Sequence, residues 1–128
     1  MARSLDFSDG FTSVGAPSSS SLSTVTGTYA APVSVTAGAG VTPGGYPSEI
    51  IFVQGSGGAV DITVNPQIAA GTNVGDQIRL IGCSDTNTVK LDHGTGLTLN
   101  GSHTMGLDES IDLTWNGTSW SETARREN

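Results

Sequence analysis

Cysteine is nearly absent: Cys83 stands alone in 128 residues. An intrachain disulfide is therefore excluded, as is a cysteine-based zinc cluster. Gly82 and Ser84 flank it and supply no base to activate the thiol, so Cys83 reads as a small buried residue in or beside a strand. This cysteine usage suits a reducing compartment, or one in which disulfides are unnecessary. Charge is also scarce. Asp, Glu, Lys and Arg make up 13% of the chain, about half the roughly 25% of an average globular domain. Bases are the scarcer sign, 5 against 12 acids, for a formal net charge of −7. This balance argues against a nucleic-acid partner, whose affinity rests on Lys and Arg neutralising phosphates. It argues equally against a polybasic membrane-surface protein. No apolar run approaches the ~18 residues of a membrane helix. No stretch has the charged, apolar and small-residue order of a signal peptide. No membrane partner is expected.

Helical signals are missing as well. No ten-residue window is rich in Ala, Leu, Glu, Lys or Arg with a 3.6-residue period. Only the segment 122–128 is mildly helix-compatible, and it is too short to hold alone. Enzyme motifs are lacking too: no nucleophile elbow, no phosphate-binding Gly loop and no HExxH. Gly55-Ser56-Gly57-Gly58 precedes a β-branched stretch, so it reads as a turn and not as a phosphate cradle.

What the chain does have is Ser, Thr and Gly, 16, 16 and 18 of them. Length and composition point to one domain with a break near residue 48. Leu, Ile, Val and Phe number 9 in residues 1–48 and 19 in residues 49–115. The first share lies near the roughly 20% below which a segment struggles to bury its own core. Residues 1–48 therefore read as an extended Ser/Gly-rich arm and linker, and residues 49–128 as the folded domain. Leu5, Phe7 and Phe11 sit on that polar arm. Apolar side chains cost ~25 cal/mol per Å² in water, so these three look like anchors for another surface. The competing reading folds this segment back as a terminal strand of its own domain.

Strand signals are dense from Glu49 onward. Ile50-Ile51-Phe52-Val53 is an unbroken apolar run, as in a strand buried on both faces. That second apolar face is one a small monomer has difficulty covering, which points to an oligomer. Val60, Ile62 and Val64 alternate with polar residues until Pro66. Further alternating runs cover 77–81, 88–91, 97–99 and 111–115. Asn116-Gly117 is the preferred pair for a type I′ hairpin turn, and 118–122 returns antiparallel. That hairpin sets Trp115 near Trp120, and makes Trp115, Gly117 and Trp120 the expected structural residues. Seven short strands at spacings of about 8–14 residues indicate an all-β fold: an antiparallel, jelly-roll-like β-sandwich or barrel-like domain. No fixed internal repeat is present.

Two constellations bear on chemistry. His93 and His103 lie in turn-like contexts and match no metal spacing, so they read as exposed loop histidines. Asp108, Glu109 and Asp112 form the densest acidic cluster but lack the alternating order of a calcium loop. Asp85-Thr86-Asn87 reads equally as an Asx turn or as a ligand loop. No metal, cofactor or catalytic residue is expected.

Three stretches carry a family resemblance: Gly75-Asp76-Gln77-Ile78-Arg79-Leu80, Gly96-Leu97-Thr98-Leu99-Asn100-Gly101, and the run from Ile111 to Trp120 followed by Glu122 and Arg125. Together they make the segment 75–125 resemble modules of tailed-bacteriophage virion proteins, found in capsid decoration proteins, head fibres and tail fibres. The resemblance implies a homotrimer without catalytic residues. A short chain with a polar N-terminal arm suits a decoration (cement) protein. Such a protein would sit on the capsid exterior, after assembly in the host cytoplasm, and bridge subunits of the major capsid protein. The alternative is a receptor- or glycan-binding fibre module.

Overall fold

The computed structural model describes residues 31–128 apart from Thr95. Among the described residues there are nine strands and no helix. In chain order they are β1 (Val33–Val35), β2 (Ser48–Gly55), β3 (Val60–Asp61), β4 (Gln77–Gly82), β5 (Val89–Leu91), β6 (Leu97–Thr98), β7 (His103–Met105), β8 (Ser110–Trp115) and β9 (Trp120–Arg126). Six form one curled sheet in the order β1-β2-β4-β8-β9-β6, and three form a second in the order β3-β5-β7. The all-β, sandwich-like architecture read from strand spacing is the one observed. The pairing within it is mixed. β4–β8, β8–β9 and β5–β7 are antiparallel, while β1–β2, β2–β4, β6–β9 and β3–β5 are parallel. Alternation along a strand reports which face is buried but carries no information on the direction of its neighbour.

One apolar core joins the two sheets. Ile51, Val53, Ile78, Leu80, Ile111, Leu113 and Trp120 enter it from the large sheet, and Val89, Leu91 and Met105 from the small one. Register explains the selection. Ile51, Leu80 and Ile111 lie side by side across three strands, so their side chains share one face. The core also takes in Val35 and Val41, both nearly inaccessible. The composition break at residue 48 therefore lies inside the fold: β1 pairs with β2, and Val41 bridges to Ile68. An average over 48 residues hides a three-residue strand whose one core residue suffices to seat it.

Two further readings need correction. Ile50–Val53 is not buried on both faces within the chain: Ile51 and Val53 are buried, but Ile50 is 59% and Phe52 49% exposed. The segment 122–128, too short to hold a helix alone, forms most of β9 and its continuation, where pairing to β8 supplies its backbone hydrogen bonds. β7 was invisible to an apolar alternation because its first inward residue is His103, 2% exposed. A buried histidine needs partners. Its Nε2 lies 3.0 Å from the Ser110 carbonyl oxygen, and its Nδ1 3.3 Å from the Glu127 carboxylate. His103 is thus a structural tie between the sheets and not an exposed loop residue.

Trp115 and Trp120 are directly opposed in the β8–β9 register. Their ring centroids are 5.4 Å apart at 58°. Trp120 is 1% exposed and donates its indole N–H to the Ala69 carbonyl at 2.9 Å. The connection between them is not a two-residue type I′ turn. Gly117 has a positive φ of 98° but Asn116 does not, and type I′ needs both. Four residues span the gap, and the Asn116 side chain closes it by accepting the Thr118 and Ser119 N–H groups at 2.8 Å each. A side-chain cap of this kind substitutes for the tight backbone turn.

The Gly117 backbone still excludes a side chain. A Cβ there would lie 3.3 Å from Val74 Cγ2, in a region of φ that β-branched residues avoid. Gly117→Val is expected to destabilise the domain by about 1–3 kcal/mol. Circular dichroism should show the melting temperature falling by ~4–8 °C per kcal/mol. An unchanged melt would mean that the loop rearranges freely.

Candidate functional site

The site begins with the residues that β2, β4, β8 and β9 turn away from the core. Three rows cross the outer face of the large sheet in register. The first is Ser48, Gln77, Thr114 and Ser121; the second Ile50, Arg79, Asp112 and Ala124; the third Phe52, Ile81, Ser110 and Arg126. The first row is wholly polar, as expected for a solvated face. The other two place Ile50, Phe52 and the half-buried Ile81 together beside charge.

Arg79 and Asp112 hold the centre. They are cross-strand neighbours, and the guanidinium grips the carboxylate at two points, Nε to Oδ1 at 2.6 Å and Nη2 to Oδ2 at 3.0 Å. A bidentate pair fixes both side chains relative to each other on the outer face. Asp112 raises the Arg79 pKa, chiefly through that hydrogen bond. Two hollows flank the pair. One, of 260 Å³, runs past Ile50, Gln77 and Thr114; the other, of 450 Å³, past Phe52, Ile81, Asp108 and Arg126. Arg126 makes no ion pair among the described residues. The arrangement is a shallow, wide contact surface with an apolar side and a charged side. It brings no nucleophile and base together.

The acidic cluster is dispersed into separate structural tasks. Asp112 is committed to Arg79. Glu109 accepts the Asn128 and Gly106 N–H groups, which hold its carboxyl below the usual carboxylate range. Asp108 sits at φ 65° in the turn before β8, and Asp85 accepts the Leu107 N–H at 2.9 Å. Among the described residues, no group of three metal-ligating side chains converges. His93 is exposed and its Nδ1 accepts the Leu99 N–H. Cys83 follows β4 and is half-buried, and burial pushes its thiol pKa up. Leu5, Phe7 and Phe11 lie outside the described residues.

Glu122 and Arg125 form a clamp that the sequence alone did not explain. Arg125 binds Glu122 through Nε at 2.6 Å and Nη2 at 2.8 Å. The same guanidinium donates to the carbonyls of Asn100, Gly101 and Ser102, while Glu122 accepts the Asn100 N–H. One ion pair therefore pins the loop between β6 and β7 to β9. Comparison with family models, curated proteins and solved structures yields no match to the chain.

The clamp carries a pH dependence. Arg125 holds the Glu122 carboxyl below its ordinary value, first through the side-chain hydrogen bond. A carboxyl lowered on folding contributes stability above its unfolded pKa and loses it as pH falls through the folded value. Melting temperature should therefore drop as the solution is acidified below about pH 4.3, the ordinary glutamate value. Arg125→Met should flatten part of that decline. An acid limb identical to that of the unaltered protein would remove the clamp from the account.

Proposed function

We propose that the chain is a virion β-module of the capsid-decoration type. It binds the outer capsid surface as a homotrimer and stabilises the head. The observation that carries this reading is the strip formed by Ile50, Phe52 and Ile81 on the outer sheet face, which the described residues leave open to solvent. Large apolar side chains grouped on an exposed face mark an interaction surface. The resemblance of residues 75–125 to phage virion modules supplies the kind of assembly. No step of this reading calls on catalysis, a metal, a cofactor, nucleic acid or a membrane.

The physical logic is avidity. A trimer that touches several major capsid subunits turns modest single contacts into tight attachment. In this reading Leu5, Phe7 and Phe11 anchor the chain on its capsid partner. Asp6 and Asp9 would meet basic groups there, and Arg3 an acidic one. A segment that orders only on binding reaches across subunit boundaries at the expense of its own entropy.

Purified particles lacking their decoration layer provide the test. The full chain should bind them saturably and raise their temperature of disruption. Removal of residues 2–12 should leave the domain melt unchanged and weaken binding by more than about tenfold, since one buried Phe contributes about 1.5–3 kcal/mol. Full binding by the truncated chain would retire the anchor. No binding by the full chain would retire the decoration reading, and attachment to host cells or glycans instead would favour the fibre module.

A further inference from the structure

We infer that the outer face of the six-stranded sheet is where copies of this chain meet one another, with the Ile50–Phe52–Ile81 strip buried between them and the Arg79–Asp112 pair at its edge. The inference rests on the oligomer of the reading above and names its surface.

Charge selects the occupant. The chain carries −7, so two copies repel at long range over most of their surface. This face is an exception. Arg79, Arg125 and Arg126 balance Glu49, Asp108 and Asp112 around the two hollows, so a second copy approaches this face without net repulsion. The face is also complementary to itself. Adjacent strands present Arg79 on β4 and Asp112 on β8. Each copy keeps that pair within itself and shows both signs at the edge of the strip, so around a threefold axis the base of one copy adjoins the acid of the next. Arg126, which has no ion-pair partner among the described residues, gains one in such a contact. A strongly basic or strongly acidic partner finds no matching single-sign field here.

The apolar strip fits the same occupant. Ile50 and Phe52 are exposed over about half of their surface, although they are next to Ile51 and Val53, which are committed to the core. Their neighbours Arg79 and Ile81 lie in the same rows, so apolar and charged groups share one patch. An apolar centre edged by polar pairs is the usual anatomy of a protein–protein contact.

The test is sedimentation equilibrium on the full chain from about 1 µM to about 1 mM, the range of weak to moderate self-association. The wild type should associate. Ile50→Thr combined with Phe52→Ser should weaken association by at least about tenfold, whereas Val74→Ser, at an exposed apolar residue off this face, should not. Arg79→Asp and Asp112→Arg should each weaken it, and the double reversal should restore it. The double reversal also rebuilds the pair within each chain, so restoration shows that the pair, in either polarity, belongs to the contact. Circular dichroism checks that each variant folds. Should a reversal unfold the domain, Thr114→Cys with Cys83→Ser supplies a second readout: a thiol crosslinker should join copies through this face.

A monomeric wild type would overturn the inference, as would unchanged association in the Ile50/Phe52 variant, failure of the double reversal to restore it, or absence of the crosslink. Particle binding is measured in parallel. A chain that associates through another face yet binds particles defeats this inference alone. A chain that associates through this face and ignores particles defeats the decoration reading alone.

Discussion

The placement of β4 governs the rest of the structure. It sits inside the large sheet, parallel to β2 and antiparallel to β8. Its sequence, Gln77-Ile78-Arg79-Leu80-Ile81-Gly82, alternates strictly in burial. A one-residue slip would put Arg79 into the core and Leu80 into solvent, so the register is held by a large penalty on either side. Once it is set, Ile78 and Leu80 align the inward residues of β2 and β8. Arg79 is placed opposite Asp112 by the same act. The core and the outer face are thus two consequences of one register.

Polar groups then finish what apolar burial begins. With little charge and few large residues, the domain cannot rely on a thick core. It closes its long connections with side chains that satisfy buried backbone. Gln67, 1% exposed, accepts the Asp92 N–H and donates to the Asp92 carbonyl. Asp76, 6% exposed, accepts the N–H groups of Thr72 and Asn73. His103 and the Glu122–Arg125 clamp do the same for the β7 and β6–β7 segments. Each contributes modestly when made, and its loss would strand a buried partner at a larger cost. This explains how a chain with 50 Ser, Thr and Gly residues holds irregular connections in one arrangement.

Legibility in the sequence followed the strength of alternation. Runs such as Ile111, Leu113 and Trp115, or Ile78 and Leu80, announced their strands because two apolar residues at a spacing of two leave little choice. β1 and β7 escaped for opposite reasons. β1 offers only Val35 to the core, too little signal within a Ser- and Gly-rich context. β7 hides its inward position behind a histidine, whose partners Ser110 and Glu127 no local pattern picks out. The Asn116-Gly117 pair correctly marked the hairpin, but its turn type depended on where Trp115 and Trp120 paired, and the dipeptide does not encode that. The Arg79–Asp112 pair was half-legible. Alternation placed Arg79 outward, yet nothing local tied it to a residue 33 positions away.

The run Ile50–Val53 was the most ambiguous segment, and the ambiguity is physical. An apolar residue at every position states that both faces of a strand avoid water; it does not state what covers them. The fold covers Ile51 and Val53 by itself and leaves Ile50 and Phe52 open. A solvated strand would be expected to carry polar residues at those two positions, as β4 does at Gln77 and Arg79. The polar rule is therefore kept on β4 at Gln77 and Arg79, lapses at Ile81, and is set aside on β2 at Ile50 and Phe52. That contrast, within one sheet and one face, is the observation on which the proposed contact between copies rests. In an acidic chain, the same patch is also where charges of both signs balance, so apolar content and electrostatics lead independently to one location.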